Sequence, residues 1–225
     1  MKKHKGLFIV LEGLDGAGTT TQCARLAERI VQAGHRVCTT REPSAGPVGK
    51  LLRQALAHAV KNVAGAALSE ASLALLFAAD RVDHVDAEVR PALARGDVVL
   101  SDRYVLSSLA YQSTHLPMAW VAAINARACA ADLTLFLGVP PKAAAKRRHA
   151  RGGTTERFEG DSRQRQVAKQ YQAAIRLLRG RERVVVLDGT QPIDAVTEAA
   201  WKVVQPLLAR HRRAPKAKVR RAGAA

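Results

Sequence analysis

Gly13 and Gly18 enclose four residues, Leu14-Asp15-Gly16-Ala17, and run straight into Thr19-Thr20-Thr21. That spacing, with a hydroxyl residue two places after the second glycine, is the pattern of a phosphate-binding loop. Glycines let the backbone wrap an anion, so that amide N–H groups backed by a helix N-terminus point at phosphate oxygens. Thr20 stands where such loops offer a hydroxyl to Mg²⁺. The preceding position, where a lysine normally spans the β- and γ-phosphates, holds Thr19. Three explanations compete: a lid cation swings in, the enzyme works with a weakened donor site, or the chain is a catalytically poor nucleotide-binding relative. The apolar residues Phe8–Leu11 ahead of the loop and the helical spacing of Cys23, Leu26, Ala27, Ile30 and Val31 behind it give the strand–loop–helix setting the motif demands.

Two further segments carry chemistry. Thr40-Arg41-Glu42-Pro43 follows a short apolar run, and Arg41 can present a planar fork to a phosphate. Val98-Val99-Leu100-Ser101-Asp102-Arg103 places a carboxylate after buried-strand residues, as in the second element of phosphate-loop enzymes, where it reaches Mg²⁺. Arg103 adds another cation at the same rim.

The alternation of periods predicts the elements that position these residues. Strands are expected at Leu7–Glu12, Arg36–Thr40, Val98–Ser101, Leu133–Leu137 and Val184–Leu187. Helices are expected at about Thr20–Ala33, Val48–Val60, Ser69–Ala94, Pro140–Ala150, around Val167–Leu178, and Ile193–Ala209. Strands separated by helices require crossovers, hence an α/β fold with a mostly parallel sheet covered on both faces. Active sites in such sheets lie at the carboxyl ends of the strands, where the motifs above fall.

Taken in order, these segments resemble the thymidylate kinase family, which makes dTDP from dTMP and ATP. The resemblance runs from about Phe8 to Val203. It rests on Phe8–Gln22, Thr40–Pro43, Leu75-Leu-Phe-Ala-Ala-Asp-Arg81, Ser101–Tyr104 with Ser107–Gln112, Glu156-Arg-Phe-Glu159, and Asp188-Gly-Thr-Gln-Pro192. It implies the P-loop NTPase fold with a five-stranded parallel sheet, ATP with Mg²⁺, and a homodimer. It also implies one kinase domain over 1–210 with a lid at about 147–161.

The resemblance carries residue roles as well. Gly13 to Thr21, that is Gly13, Leu14, Asp15, Gly16, Ala17, Gly18, Thr19, Thr20 and Thr21, would hold ATP, with Thr190 and Gln191 on the adenine side. Thr20 and Asp102 would serve the metal. Asp15 would hold the sugar 3′-hydroxyl, Arg41 and Arg103 the acceptor phosphate, and Phe77 would stack on thymine. Arg81 would donate to a base carbonyl, and Tyr111 would pack near the sugar 2′ position. Pro43, Ser107, Ser108 and Gln112 would line the acceptor site. One family design places a catalytic arginine directly after the position of Asp15, where this chain has Gly16. The other supplies it from the lid, where Arg147, Arg148, Arg151 and Arg157 crowd together. Arg151, beside Gly152 and Gly153, is the leading catalytic candidate, and Arg147 the second.

Composition limits the remaining readings. The net charge is +17, and the stretch Arg210–Ala225 holds seven Lys/Arg and no acid. Residues 211–225 therefore read as a disordered basic tail. A nucleotide-switched protein that binds nucleic acid through that tail is the alternative function, and steep salt dependence would mark it. Cys23, Cys38 and Cys129 are odd in number and irregularly spaced, which indicates neither a disulfide framework nor a zinc site. The run Leu7–Leu11 is too short for a signal-peptide core, and no segment approaches a membrane span. A cytoplasmic protein is expected.

Overall fold

A computed structural model of the chain describes residues 5–151, 161–180, 182–211 and 220–221. Its first half contains β1 (Leu7–Gly13), α1 (Thr19–Gln32), β2 (Val37–Arg41), α2 (Pro47–Leu56), α3 (Glu70–His84), a π-helical turn (Val85–Val89), α4 (Arg90–Ala94) and β3 (Val98–Asp102). Then come α5 (Val105–Tyr111), a 3-10 turn (Gln112–Thr114), α6 (Met118–Ile124), β4 (Leu133–Gly138), α7 (Pro141–Arg151), α8 (Asp161–Leu178), β5 (Val184–Asp188), α9 (Ile193–Ala209) and β6 (Arg220–Arg221).

The strands make one parallel sheet in the order β5-β4-β1-β3-β2-β6. β1 lies at its centre and is buried along its whole length, so its apolar run faces helices on both sides. Alternate residues feed two cores: Leu7, Ile9 and Leu11 join the larger one, Phe8 and Val10 the smaller one with Val85, Val89 and Leu93. Each fully buried Ile or Leu contributes about 1.5–3 kcal/mol. Because β1 pairs with β3 on one edge and β4 on the other, the chain leaving Gly13 opens into the crevice where the connections part.

The five expected strands are present, and three differences have local causes. The helix expected over Ser69–Ala94 is interrupted by the π-helical turn, because Pro91 in the first turn of α4 has no N–H to continue the regular ladder. The helix expected to reach Val60 stops at Leu56, where His58 adopts φ 58°. There the His58 N–H bonds to the Ala55 carbonyl and the Ala59 N–H to the Gln54 carbonyl, a helix-closing pattern usually built on glycine. Arg220 and Arg221 pair with Cys38 and Thr39, which corrects the reading of 211–225 as wholly unstructured at these two residues. The outer edge of β2 offers unpaired backbone groups that such a segment satisfies. Residues 212–219 and 222–225 lie outside the described residues.

Candidate active site

The loop Gly13–Thr21 joins the carboxyl end of β1 to the first turn of α1. Gly16 and Gly18 have φ of 91° and 96°, a region costly for other residues. A Cβ on Gly16 would stand 2.4 Å from the Ala144 carbonyl, so glycine is what allows α7 to press on the loop. Leu14 and Ala17 are buried and anchor it, and Thr19 is buried at the start of α1. Gly18 caps α1 without a side-chain acceptor, and its first turn holds no acid. The amide groups there remain available to an anion.

Asp102 ends β3 beside this turn. The Thr20 hydroxyl donates to its Oδ2 at 2.5 Å, while its buried Oδ1 has no hydrogen-bond partner among the described residues. A buried carboxylate oxygen without a donor fits a cation, and hydroxyl plus carboxylate suits Mg²⁺. No cluster of three His, Cys, Asp or Glu exists among the described residues, so phosphates and water would complete such a shell.

Arg103 has φ 76°, which is rare for a residue with a long side chain. Its N–H donates to the Leu11 carbonyl at 2.9 Å, and the Ser101 hydroxyl donates to its own carbonyl at 2.8 Å. These bonds hold the strained turn and send the side chain under the phosphate loop. There the guanidinium donates to Asp15 Oδ1 at 2.7 Å, to the Tyr171 hydroxyl at 2.9 Å and to the Gly13 carbonyl. Gln164 Nε2 donates to the other oxygen of Asp15 at 2.7 Å.

Asp15 and Arg103 also line a cavity with Pro43, Phe77, Arg81, Ser107, Ser108, Tyr111 and Gln112. Every residue expected at the acceptor site is therefore brought together except Arg41. That residue is exposed at the end of β2, next to Asp102 in register, and does not line the cavity. Phe77 is half-buried on α3, and Tyr111 packs edge-on to Tyr171 at 6.0 Å. Arg81 is more committed than expected. Its Nε and Nη2 donate to Glu42 Oε2 at 2.9 and 2.6 Å, Nη2 also reaches Ser108 Oγ at 3.0 Å, and Nη1 donates to Asn125. His84 Nδ1 lies 3.2 Å from the other oxygen of Glu42, so a buried network fixes this wall.

The two residues expected on the adenine side are partly committed too. Thr190 donates through N–H and hydroxyl to Asp188 Oδ1, and Gln191 Nε2 donates to Asp188 Oδ2 at 2.8 Å. Those bonds hold the Asp188 carboxyl below its ordinary range. On α7, Arg147 donates to the Gly189 and Ala17 carbonyls at 2.9 and 3.4 Å, and Arg148 to the Asp15 carbonyl at 3.0 Å. Of the expected lid at 147–161, residues 147–151 continue α7 and α8 begins at Asp161. Arg157, Gly152 and Gly153 lie outside the described residues, as does the side chain of Arg151.

A family model described as thymidylate kinase matches residues 11–200 of this chain. The chain belongs to the thymidylate kinase family. Thymidylate kinase from Thermomicrobium roseum is 40% identical over 215 residues, covering 92% of this chain and 99% of that protein. The Caulobacter vibrioides thymidylate kinase is 39% identical over 207 residues, covering 89% and 96%. A probable thymidylate kinase from Thermococcus kodakarensis is 36% identical over 205 residues, covering 90% and 98%.

Sequence reasoning missed several residues that shape this family member's site. Tyr171 was visible only as a position on a helix and Gln164 lay ahead of the expected one, since contact with Asp15 and Arg103 depends on how α8 docks. Glu12 had a signal: an acid inside an apolar strand immediately before the loop. It is fully buried, with Oε1 accepting the Tyr104 and Ser107 N–H groups at 2.8 and 3.0 Å. Oε2 accepts the Ser107 and Tyr171 hydroxyls at 2.5 and 3.1 Å. Burial raises its carboxyl from 4.5 to about 7, against the lowering effects of Arg103 and these bonds.

That shift has a defined consequence for stability. Between about 4.5 and about 7 the folded state keeps a proton that the unfolded chain releases, so stability from this group falls as pH rises through that window. The loss across it is on the order of 3 kcal/mol. Glu12→Gln keeps the shape and removes the titration. Urea unfolding midpoints of the native protein should fall relative to the variant between about pH 5 and 7. Parallel curves across that range would remove Glu12 as the cause.

Proposed function

We propose that this protein transfers the γ-phosphoryl group of ATP to dTMP, yielding dTDP and ADP. The observation that carries the reading is that Asp15 and Arg103 belong both to the phosphate loop's bonding and to the wall of the cavity bearing Phe77 and Tyr111. A nucleotide monophosphate whose base stacks on Phe77 would have its phosphate directed toward Arg103 and the loop. Phosphoryl transfer then requires chiefly positioning and charge stabilisation, with little covalent work by the protein.

In this reading the loop amides, Gly13 to Thr21, hold the ATP phosphates. Asp15 takes the acceptor's 3′-hydroxyl, and Arg103 grips its phosphate. Arg41, exposed beside Asp102, would have to swing inward to share that load. Arg81, Ser108 and Gln112 face the base, and Tyr111 crowds the place of a ribose 2′-hydroxyl. Thr20 and Asp102 would hold Mg²⁺, which when bound neutralises charge between the phosphates. Arg151 ends α7 and remains our lid candidate for the transferring phosphoryl group. The turn at Thr190 and Gln191 offers its backbone to adenine.

Incubation with ATP, Mg²⁺ and a panel of nucleoside monophosphates tests the reading. Rapid dTDP formation, with ribonucleotides much poorer, is the expected result; efficient transfer to UMP or CMP and little to dTMP would overturn it. Phe77→Ala should weaken dTMP binding by roughly 1–3 kcal/mol, the usual contribution of a base–aromatic stack. Calorimetry showing unchanged dTMP affinity would remove Phe77 from the base site.

The same reading includes a homodimer. Leu75 and Val82 lie seven residues apart on α3, and Leu51 stands on α2, which packs against α3; these residues are 50%, 40% and 40% exposed. Exposed apolar residues on two adjoining helices suit two-fold pairing. Sedimentation at micromolar concentration should give twice the chain mass, and a monomer would count against this face. No described helix is long and apolar enough to cross a membrane. The three cysteines are free, which suits the reducing cytoplasm where dTTP synthesis needs such an enzyme.

A further inference from the structure

Thr19 is uncharged and 6% exposed at the place where a phosphate loop usually carries its cation. The loop is instead braced from outside by three guanidinium groups on alternate carbonyls: Arg103 on Gly13, Arg148 on Asp15 and Arg147 on Ala17. A peptide unit is planar, so a carbonyl drawn outward turns the next residue's N–H inward. Bonds at residues 13, 15 and 17 therefore orient the N–H groups of Leu14, Gly16 and Gly18 toward the anion side.

The three arginines are not equivalent. Arg103 is ion-paired with Asp15 at 2.7 Å. Arg147 pairs with no carboxylate among the described residues, and the same Nη1 that reaches Ala17 also donates to Gly189 in the turn after β5. It thus ties the phosphate loop, at the carbonyl two residues before Thr19, to the turn after β5. The contact is possible because Gly16, with no Cβ to meet the Ala144 carbonyl, lets α7 seat directly on the loop.

We propose that Arg147 compensates for the missing lysine at Thr19, as a positioning residue that sets the loop through the Ala17 carbonyl and lends it a positive charge that no carboxylate among the described residues pairs. The inference rests on the ATP reading above. It explains how a loop without its own side-chain cation can still present an ordered, electropositive cradle.

A double-mutant cycle between Thr19→Lys and Arg147→Ala tests it, read by calorimetric ATP binding without acceptor and by kcat. Arg147→Ala should weaken ATP binding roughly tenfold or more, whereas Thr19→Lys alone should change it less than about threefold. Combined, Thr19→Lys should restore most of the affinity that Arg147→Ala loses. Arg147→Lys, which keeps the charge but not the fork across two carbonyls, should fall between. It carries the same cycle if the alanine variant does not fold. Arg148→Ala and Arg151→Ala should not be rescued by Thr19→Lys. Additive effects in the cycle, or equal rescue of the other arginines, would overturn the proposal. A native protein that bound no ATP would overturn the ATP reading itself, whereas normal ATP binding with an additive cycle would sink this inference alone.

Discussion

Arg103→Ala is expected to lower turnover of dTMP by roughly 10²–10³-fold, the usual effect of losing a cationic or hydrogen-bonding group aimed at transferring charge. The guanidinium joins four parts of the site: the Gly13 carbonyl, the Asp15 carboxylate, the Tyr171 hydroxyl and the wall of the cavity that bears Phe77. Its side chain is 17% exposed and that of Asp15 24%, so solvent screens the pair only partly. Removing one partner leaves the other short of a countercharge, which costs about 3–5 kcal/mol for a well-buried pair. Partial exposure places the expected loss of stability below that range. Glu12, whose carboxyl Arg103 also pulls downward, would lose its nearest cation as well.

Arg103→Lys separates charge from shape. A lysine can face Asp15 but cannot also span Gly13 and Tyr171 as a planar fork does. Stability should recover more than turnover. Steady-state kinetics and thermal unfolding of both variants give the test: turnover of Arg103→Ala within about threefold of the native protein would remove this residue from the machinery.

Asp102→Asn should produce the second large effect, a fall in kcat of roughly 10²-fold with a shift of the Mg²⁺ requirement to higher concentration. Thr20 already occupies one carboxylate oxygen, and the other is buried with no donor among the described residues. An amide group turned toward a cation there would repel it, while dTMP affinity should change little because Asp102 does not line the acceptor cavity. Stability without metal gives an independent sign. Asn still leaves one buried polar atom without a partner but removes the carboxylate's charge, which is the costlier group to bury unpaired, so the metal-free melting temperature should be unchanged or higher. An Asn variant with native Mg²⁺ dependence would rule out this oxygen as a metal ligand.

What the sequence alone determined is what short-range chemistry dictates. Gly13, Gly16 and Gly18 announce the loop because only certain backbones can wrap an anion, and Asp102 follows a strand whose apolar residues mark it as buried. The order of segments from Phe8 to Pro192 then carried the family and, with it, Phe77, Tyr111 and the other residues that line one cavity. Local exceptions were hidden where an unusual residue took a usual conformation: His58 closes a helix in the place of glycine. Only the tertiary structure decided partnerships between residues far apart in the chain. Glu12 gains its raised carboxyl from burial beneath α5 and α8. Arg81 is committed to Glu42 and Asn125, and Arg41 stands outside the cavity despite its motif. The arginines reaching Gly13, Asp15 and Ala17 come from positions 103, 148 and 147. The physical reason is that a side chain's type fixes what it can bond, while docking of its element fixes what lies within bonding distance. Thr19 shows both halves: the sequence displays the missing charge, and the seating of α7 on the loop brings Arg147 to the Ala17 carbonyl two residues before it.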